Sequence, residues 1–163
     1  MTTIANNVAN MSSPGYRTQN PLFKEFISDP NGAKEPLSMV YDYGQYTTTA
    51  PGPQTVTGNT YDVALNGPGF IGITLPSGDV QYTRAGNFTI NNIGELVTPN
   101  GYAVASAGGA AIAIPQGVRE VKITATGDVI ADGNTVGTIQ VVEFANLQDL
   151  RPEGNGLYSN QGA

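Results

Sequence analysis

The sequence predicts an all-β fold, either an antiparallel sandwich or an irregular barrel of short hairpin strands. Of its 163 residues, 21 are Gly and 11 are Pro, whereas charged residues make up only 12%. Gly and Pro interrupt helices but suit the turns between short strands. After residue 55, turn-forming pairs such as Asn66-Gly67 and Asp132-Gly133 recur at short intervals, which is typical of successive hairpins.

The first 54 residues are predicted to form a short N-terminal helix remnant and an extended connecting segment. Ile4, Val8 and Met11 recur at spacings of four and three residues, and the turn-forming stretch 12–15 follows them. This spacing indicates one face of a helix. The rest of the segment sets aromatic residues among Pro, Gly and Thr, so we expect an extended connection with a single strand near residues 38–48.

The β core domain is predicted to span residues 55–150, and residues 151–163 to form an exit segment. Ten stretches between the turn signals have the length and composition of strands. They are residues 61–65, 69–74, 79–84, 87–90, 95–98, 102–105, 111–114, 119–124, 128–131 and 136–145. The last of them carries apolar side chains on both faces, so we expect a central strand that is covered on both sides.

Composition excludes several classes of function. The sequence has no Cys and no His, the residues on which most nucleophilic, general-base and metal-binding sites depend. A net charge of −6 with seven scattered basic residues offers no patch for nucleic acid. The sequence has no apolar run long enough to cross a bilayer and no visible cleavable signal peptide. We therefore predict no enzyme, no cofactor or metal, no nucleic-acid partner and no direct membrane insertion.

Two short motifs imitate binding sites. Gly67, Gly69 and Gly72 spell the phosphate-binding pattern of dinucleotide folds, but that pattern requires a helix after it, and the sequence there predicts a strand and a turn. Asp128 and Asp132 lie in neighbouring turns whose spacing does not match a calcium-binding loop. Turn formation is the preferred interpretation of both motifs.

Two classes of function stay open at this point. A carbohydrate-binding or adhesin-like β module fits the Tyr and Thr content, because aromatic side chains offer flat apolar surfaces. An enzyme with carboxylate chemistry would require Asp62, Asp79 and Glu95 to converge in one pocket. We rank the enzyme last because His and Cys are absent.

Three segments of the chain resemble flagellar basal-body rod and hook proteins. ANNVANMSSPGYR, residues 5–17, is similar to their N-terminal signature. TGNTYDVALNGPGFIGI, residues 57–73, followed by YTRAGNFTINNIGELVTPNGYAV, residues 82–104, looks like their central block. TIQVVEFAN and GNGLYSNQGA, within residues 137–163, resemble the region that leads toward their terminal helix.

The resemblance implies a structural subunit of the bacterial flagellar rod, the drive shaft that transmits torque. It further implies export through the flagellar type III apparatus without a cleavable signal peptide, polymerisation in the periplasm, and partners that are other rod subunits and copies of the chain itself. Within the family the lead-in to the central block is more similar to the proximal FlgF type than to the distal FlgG type. Family members carry long terminal helices that pack against neighbouring subunits, and this sequence has neither helix in full. We therefore expect this chain to be a core fragment that is largely monomeric.

The resemblance and the residue pattern together give three groups of candidate residues. The assembly or export motif is Asn6, Asn7, Asn10, Pro14, Gly15 and Tyr16. The interface candidates are the aromatic residues of the connecting segment, which must be buried against something: Phe23, Phe26, Tyr41 and Tyr43. The residues expected to maintain the fold are Gly67, Gly69, Phe70, Arg84, Gly86 and Phe88.

Overall fold

The computed structural model describes residues 2–28, 37–48 and 52–160. It divides the chain into two compact units. The first, called the helix–hairpin unit here, comprises Met1–Met11 and Arg17–Ala50. The second, called the β unit, comprises Ser12–Tyr16 and Pro51–Ala163.

In its described residues, the helix–hairpin unit has one short helix and two long antiparallel strands. Its elements are α1 at Thr2–Ala9, β1 at Gln19–Ser28 and β2 at Leu37–Thr47. The predicted helix is confirmed, and so is the predicted strand near residues 38–48, which is β2. The preceding part of the predicted extended connection is instead β1, which pairs with β2 and has a bulge between Leu22 and Phe23. Pro21 weakens the strand signal of β1 in the sequence, but an edge strand tolerates Pro where no ladder bond is needed.

The β unit contains eleven strands among its described residues. They are β3 at Phe70–Thr74, β4 at Val80–Thr83, β5 at Thr89–Ile90, β6 at Leu96–Val97, β7 at Ala103–Val104, β8 at Val121–Ile123, β9 at Asp128–Ala131, β10 at Asn134–Thr138, β11 at Val141–Val142, β12 at Leu150–Gly154 and β13 at Leu157–Asn160. A 3₁₀ helix at Leu147–Asp149 precedes β12.

The strands of the β unit form two antiparallel sheets. The larger has the order β12-β13-β4-β3-β7-β6-β5, with β11 also paired to β3, and the smaller has the order β10-β9-β8. In the part of the chain that the structure describes, neither sheet closes into a barrel. The predicted all-β class is confirmed, and of the two predicted architectures the structure agrees with the sandwich.

One hydrophobic core joins the two sheets. Ile71 and Ile73 of β3, Leu96 of β6, Val104 of β7 and Val129 of β9 are buried almost completely and belong to one cluster. Burial of such a side chain contributes about 1.5–3 kcal/mol. The β unit therefore has a stabilising core of its own.

The long strand predicted at residues 136–145 is in fact two strands. β10 belongs to the small sheet, whereas β11 pairs with β3 in the large one. Between them, the Ile139 main-chain N donates to Gly127 O at 2.8 Å, and Gln140 N donates to Ala105 O at 2.9 Å. The chain passes from one sheet to the other here, which explains the apolar side chains on both faces of this segment.

Two other predicted strands, at residues 61–65 and 111–114, are reduced to isolated bridges. The bridged pairs are Asp62 with Asn87, Ala111 with Ala105, and Ala113 with Glu95. Small side chains pack little surface across a sheet, and Gly and Ala predominate from residue 105 to residue 113. The stretch predicted as strand 111–114 therefore yields only single pairings there.

Candidate functional site

The N-terminal motif ends α1 and forms a tight turn. The main-chain N and the side-chain Nδ2 of Asn10 both donate to Asn6 O, at 3.1 and 3.0 Å. In the turn that follows, Tyr16 N donates to Ser13 O at 3.2 Å, and Gly15 has a φ of 71°. Pro followed by a residue with positive φ is the pattern of a type II turn, so Gly at this position has a conformational reason.

Asn7 binds the first residue of β1 through its side-chain amide. Its Nδ2 donates to Gln19 O at 2.7 Å, and its Oδ1 accepts from Gln19 N at 3.0 Å. Nearby, the Arg17 Nη1 donates to Thr48 O at 3.3 Å. These bonds hold the end of α1 and the open end of the β1–β2 hairpin in one unit.

Gly15 lies against the main chain of the β unit. A Cβ added to Gly15 would overlap Ala85 N and would lie 2.5 Å from Arg84 C and 2.8 Å from Arg84 O. Contacts this short to main-chain atoms cannot be relieved by rotation of a side chain. Gly15 therefore combines a conformational requirement with a steric one.

Arg84 bridges the loop before β3. Its two terminal nitrogens donate to Gly67 O and Gly69 O, each at 2.7 Å. Its guanidinium carbon lies 5.5 Å from the centroid of the Phe70 ring, within the range of a cation–π contact. The planar guanidinium, with its several donors, suits a pair of carbonyl groups better than an ammonium does.

Three of the other fold-maintaining candidates also lie in close contacts or in the core. A Cβ on Gly86 would overlap Val63 O, and Val63 N donates to Gly86 O at 2.9 Å. A Cβ on Gly69 would lie 2.6 Å from Val141 Cγ1. Phe88 is buried in the core. Arg84 and the loop carbonyl groups of Gly67 and Gly69 that it binds are called the Arg84 loop here.

The helix–hairpin unit exposes apolar side chains. On α1 and just after it, Ile4, Val8 and Met11 are 63%, 63% and 78% exposed. On the hairpin, Phe23 and Val40 are 66% and 70% exposed. Exposed apolar side chains of this kind are typical of an interaction surface, so we call this set the apolar surface of the helix–hairpin unit.

Of the four predicted interface residues, the structure describes the side chain of Phe23. Phe23 is exposed on β1. Phe26, Tyr41 and Tyr43 have their main chain in β1 and β2, whereas their side chains lie outside the described part of the structure. Sequence reasoning named Ile4, Val8 and Met11 only as a helix face. Their spacing was the signal for an apolar stripe, but the sequence does not say whether such a stripe is covered.

Because the sequence has no His and no Cys, Asp and Glu are the candidate metal ligands among the described residues. No group of three or more Asp or Glu among them is arranged to hold a metal ion. No helix in the described ranges is long and apolar enough to cross a membrane. The pKa of Asp128 is lowered, chiefly because Thr138 and then Thr126 donate hydrogen bonds to its carboxylate. This environment keeps the carboxylate charged and makes it a turn-stabilising group.

An open groove of about 330 Å³ lies on the β unit. Its lining includes Tyr61, Ile90, Ile114 and Val118, and none of its lining residues is charged. The only titratable side chain among them is a Tyr. The groove therefore lacks the paired carboxylates that glycoside chemistry requires.

These features define a class of structural assembly protein: a self-stabilised β unit together with a smaller unit whose apolar side chains face outward. The profile described as the D1 domain of the flagellar hook proteins FlgE, FlgF and FlgG matches residues 64–131. FlgG of Caulobacter vibrioides is 34% identical over 181 positions, which cover 98% of this chain and 68% of the relative. This chain belongs to the family of flagellar basal-body rod proteins.

Other relatives carry the names of both rod types. FlgF of Caulobacter vibrioides is 33% identical over 160 positions, covering 96% of this chain and 65% of the relative. FlgG of Bacillus subtilis is 34% identical over 173 positions, covering 95% of this chain and 65% of the relative. The chain thus spans about two thirds of the length of these proteins, and the resemblance to the rod family is confirmed.

Proposed function

We propose that this structural subunit of the flagellar basal-body rod contacts its neighbours through the apolar surface of the helix–hairpin unit. The observation that carries the proposal is the exposure of Phe23 and Val40 on the hairpin, together with that of the apolar side chains of α1. Contacts between protein subunits bury an apolar centre inside a polar rim. The neighbours are other rod subunits and further copies of the same protein, since its relatives are basal-body rod proteins.

We assign the remaining interface candidates to the same surface. Phe26, Tyr41 and Tyr43 belong to the strands that carry Phe23 and Val40, and Tyr is enriched at protein interfaces. We propose that this protein works in the periplasm and reaches it through the flagellar type III apparatus without a cleavable signal peptide. Support for that route is the family membership alone.

We propose that the N-terminal motif acts in folding as well as in assembly or export. Asn7, Asn10 and Gly15 each make contacts within the chain, which supports a part in folding. Asn6 is exposed on α1, which leaves it accessible for assembly or export. Gly67, Gly69, Phe70, Arg84, Gly86 and Phe88 are proposed to maintain the β unit.

We further propose that the protein is of the FlgF type. The alignments with FlgG from Caulobacter vibrioides and Bacillus subtilis run over 181 and 173 positions, which exceed the 163 residues of this chain, so they contain gaps in it. The alignment with FlgF of Caulobacter vibrioides runs over only 160 positions. A chimera carrying this region should therefore restore motility to a strain lacking FlgF but not to one lacking FlgG, and the reverse pattern would contradict this assignment.

A carbohydrate-binding module is not favoured. Tyr82 packs edge-on against Phe144 with ring centroids 4.8 Å apart, and Tyr158 packs against Phe70 at 5.7 Å. These Tyr rings stabilise an aromatic cluster and do not form a flat platform. We also propose that the protein has no catalytic activity, in keeping with relatives that are rod proteins.

The surface proposal is tested by two substitutions that remove equally exposed apolar side chains. Phe23→Ser changes the helix–hairpin unit, and Ile93→Ser changes the β unit, where Ile93 is 70% exposed. In the full-length protein, Phe23→Ser should lower incorporation into purified basal bodies about tenfold, as loss of an interface aromatic does. Ile93→Ser should change incorporation less than about twofold. Equal incorporation of both variants would contradict the proposal.

A further inference from the structure

The main-chain groups of Gln19 point away from β2. Thr48 N donates to Thr18 O at 2.9 Å, and the register places Gln19 opposite Thr47. In an antiparallel pair, hydrogen-bonded and non-hydrogen-bonded residue pairs alternate. Because Thr18 and Thr48 form a hydrogen-bonded pair, the N–H and the C=O of Gln19 face the outer edge of β1.

Asn7 occupies both of these outward groups. Its Nδ2 donates to Gln19 O at 2.7 Å, and its Oδ1 accepts from Gln19 N at 3.0 Å. An added strand would use the same one acceptor and one donor of Gln19. The side-chain amide of Asn7 therefore stands where the main chain of a neighbouring strand would bind.

Pro21 blocks the next outward position on the same edge. The register pairs Asn20 with Tyr46 and Pro21 with Gln45, so by the same alternation Pro21 faces outward. Pro has no N–H and cannot donate to an added strand. Directly after Leu22 the register shifts through a bulge, and bulges also interrupt pairing at sheet edges.

We propose that Asn7, Pro21 and the bulge after Leu22 together block the β1 edge against an extended strand from a second copy of this chain. Among the described residues, β1 and β2 form a two-stranded sheet, and the outer edge of such a sheet is a template for pairing between chains. The block leaves contacts between copies to side chains such as Phe23. It does not depend on the proposed rod contacts, because any protein that carries this hairpin faces the same hazard.

The test uses the 163-residue chain. It distinguishes the amide N–H groups of β1 that face away from β2 from those that face β2. Asn7→Ala is compared with Asn6→Ala, a substitution of an exposed residue on the same helix. Amide hydrogen exchange at Gln19 should accelerate about tenfold in Asn7→Ala. Exchange at Asn20 and Leu22, whose N–H groups face β2, should change less than about threefold. Asn6→Ala should leave all three amides unchanged.

A second variant tests the consequence of opening the edge. Asn7→Ala/Pro21→Ala restores an outward N–H and frees Gln19, so it should form β-rich aggregates that bind thioflavin T. Asn6→Ala should stay monodisperse at the same concentration. The inference is overturned if Gln19 exchange does not change in Asn7→Ala, or if Asn20 and Leu22 accelerate as much as Gln19, since Asn7 would then only stabilise the hairpin. It is also overturned if the double variant aggregates no faster than Asn6→Ala.

Discussion

The two units of this protein place the same kinds of side chain in opposite environments. Phe70 begins β3 of the β unit and is 1% exposed, whereas Phe23 lies in β1 of the helix–hairpin unit and is 66% exposed. Ile73 is fully buried, and Ile4 is 63% exposed. The β unit buries such residues in its own core, whereas the helix–hairpin unit leaves them exposed, where we propose that they contact other molecules. A subunit of a polymer needs both, because it must fold before assembly and then bind.

The largest expected effect on the free energy of unfolding comes from replacing Phe by Ala in each of the two units. Phe70→Ala removes a buried ring that packs against Phe144 and Tyr158, and it should lower the free energy of unfolding by about 3–5 kcal/mol. Phe23→Ala should change it by less than about 0.5 kcal/mol. Urea denaturation followed by tyrosine fluorescence measures both. Equal losses would remove the contrast between the two units.

The next largest effect separates steric from conformational roles of Gly. Gly15 and Gly58 have φ values of 71° and 76°, but only Gly15 lies against another part of the chain. Gly58→Ala should lower the free energy of unfolding by about 1–2 kcal/mol, from its positive φ alone. Gly15→Ala adds the overlap with Ala85, so we expect a loss of about 3 kcal/mol or more. If the two variants have the same midpoint of thermal unfolding, the Gly15 contact is unimportant.

A moderate effect is expected at Arg84. Replacement by Met removes both bonds to the carbonyl groups of Gly67 and Gly69 and should lower the free energy of unfolding by about 1.5–3 kcal/mol. Arg84→Lys keeps the charge but not the planar pair of donors, and it should recover less than half of this loss. Full rescue by Lys in chemical denaturation would mean that charge, and not geometry, is what the Arg84 loop requires.

The smallest effect concerns pH and is confined to the β unit. Hydrogen bonds from Thr138 and Thr126 lower the pKa of Asp128 below its usual value of 3.8. The stabilisation is therefore complete above pH 3.8 and is lost as the pH falls through the lower pKa of the folded state. Asp128→Asn should show a weaker decline of the thermal midpoint between pH 4 and pH 2 than the wild type. An identical decline would assign the acid sensitivity to other carboxylates.

Local chemistry made much of the β unit predictable. Asn-Gly and Asp-Gly pairs marked the turns, and each strand from Phe70 to Ala131 lies within a predicted segment. The predicted segment 111–114 is the exception, since it forms only isolated bridges. The Pro14-Gly15 pair likewise marked a turn. Such signals work because Gly and Asn adopt positive φ without a large steric penalty.

The remaining features depend on contacts between distant residues. Strand β1 was not predicted because it contains Pro21, and a sequence does not say which residues of a strand face a partner. The passage from β10 to β11 at Ile139 depends on a bond to Gly127, which periodicity cannot indicate. The carbonyl partners of Arg84 have no sequence signal either, because every residue carries a main-chain oxygen.

The central claim, that rod contacts are made by the apolar surface of the helix–hairpin unit, is tested most directly by cross-linking in assembled basal bodies. A photoreactive benzoylphenylalanine replaces Phe23 in one full-length variant and Ile93 in the other. The account predicts that the variant at position 23 cross-links to a neighbouring rod subunit at least about tenfold more than the variant at position 93. Cross-linking that is equal at the two positions, or stronger at position 93, would contradict it.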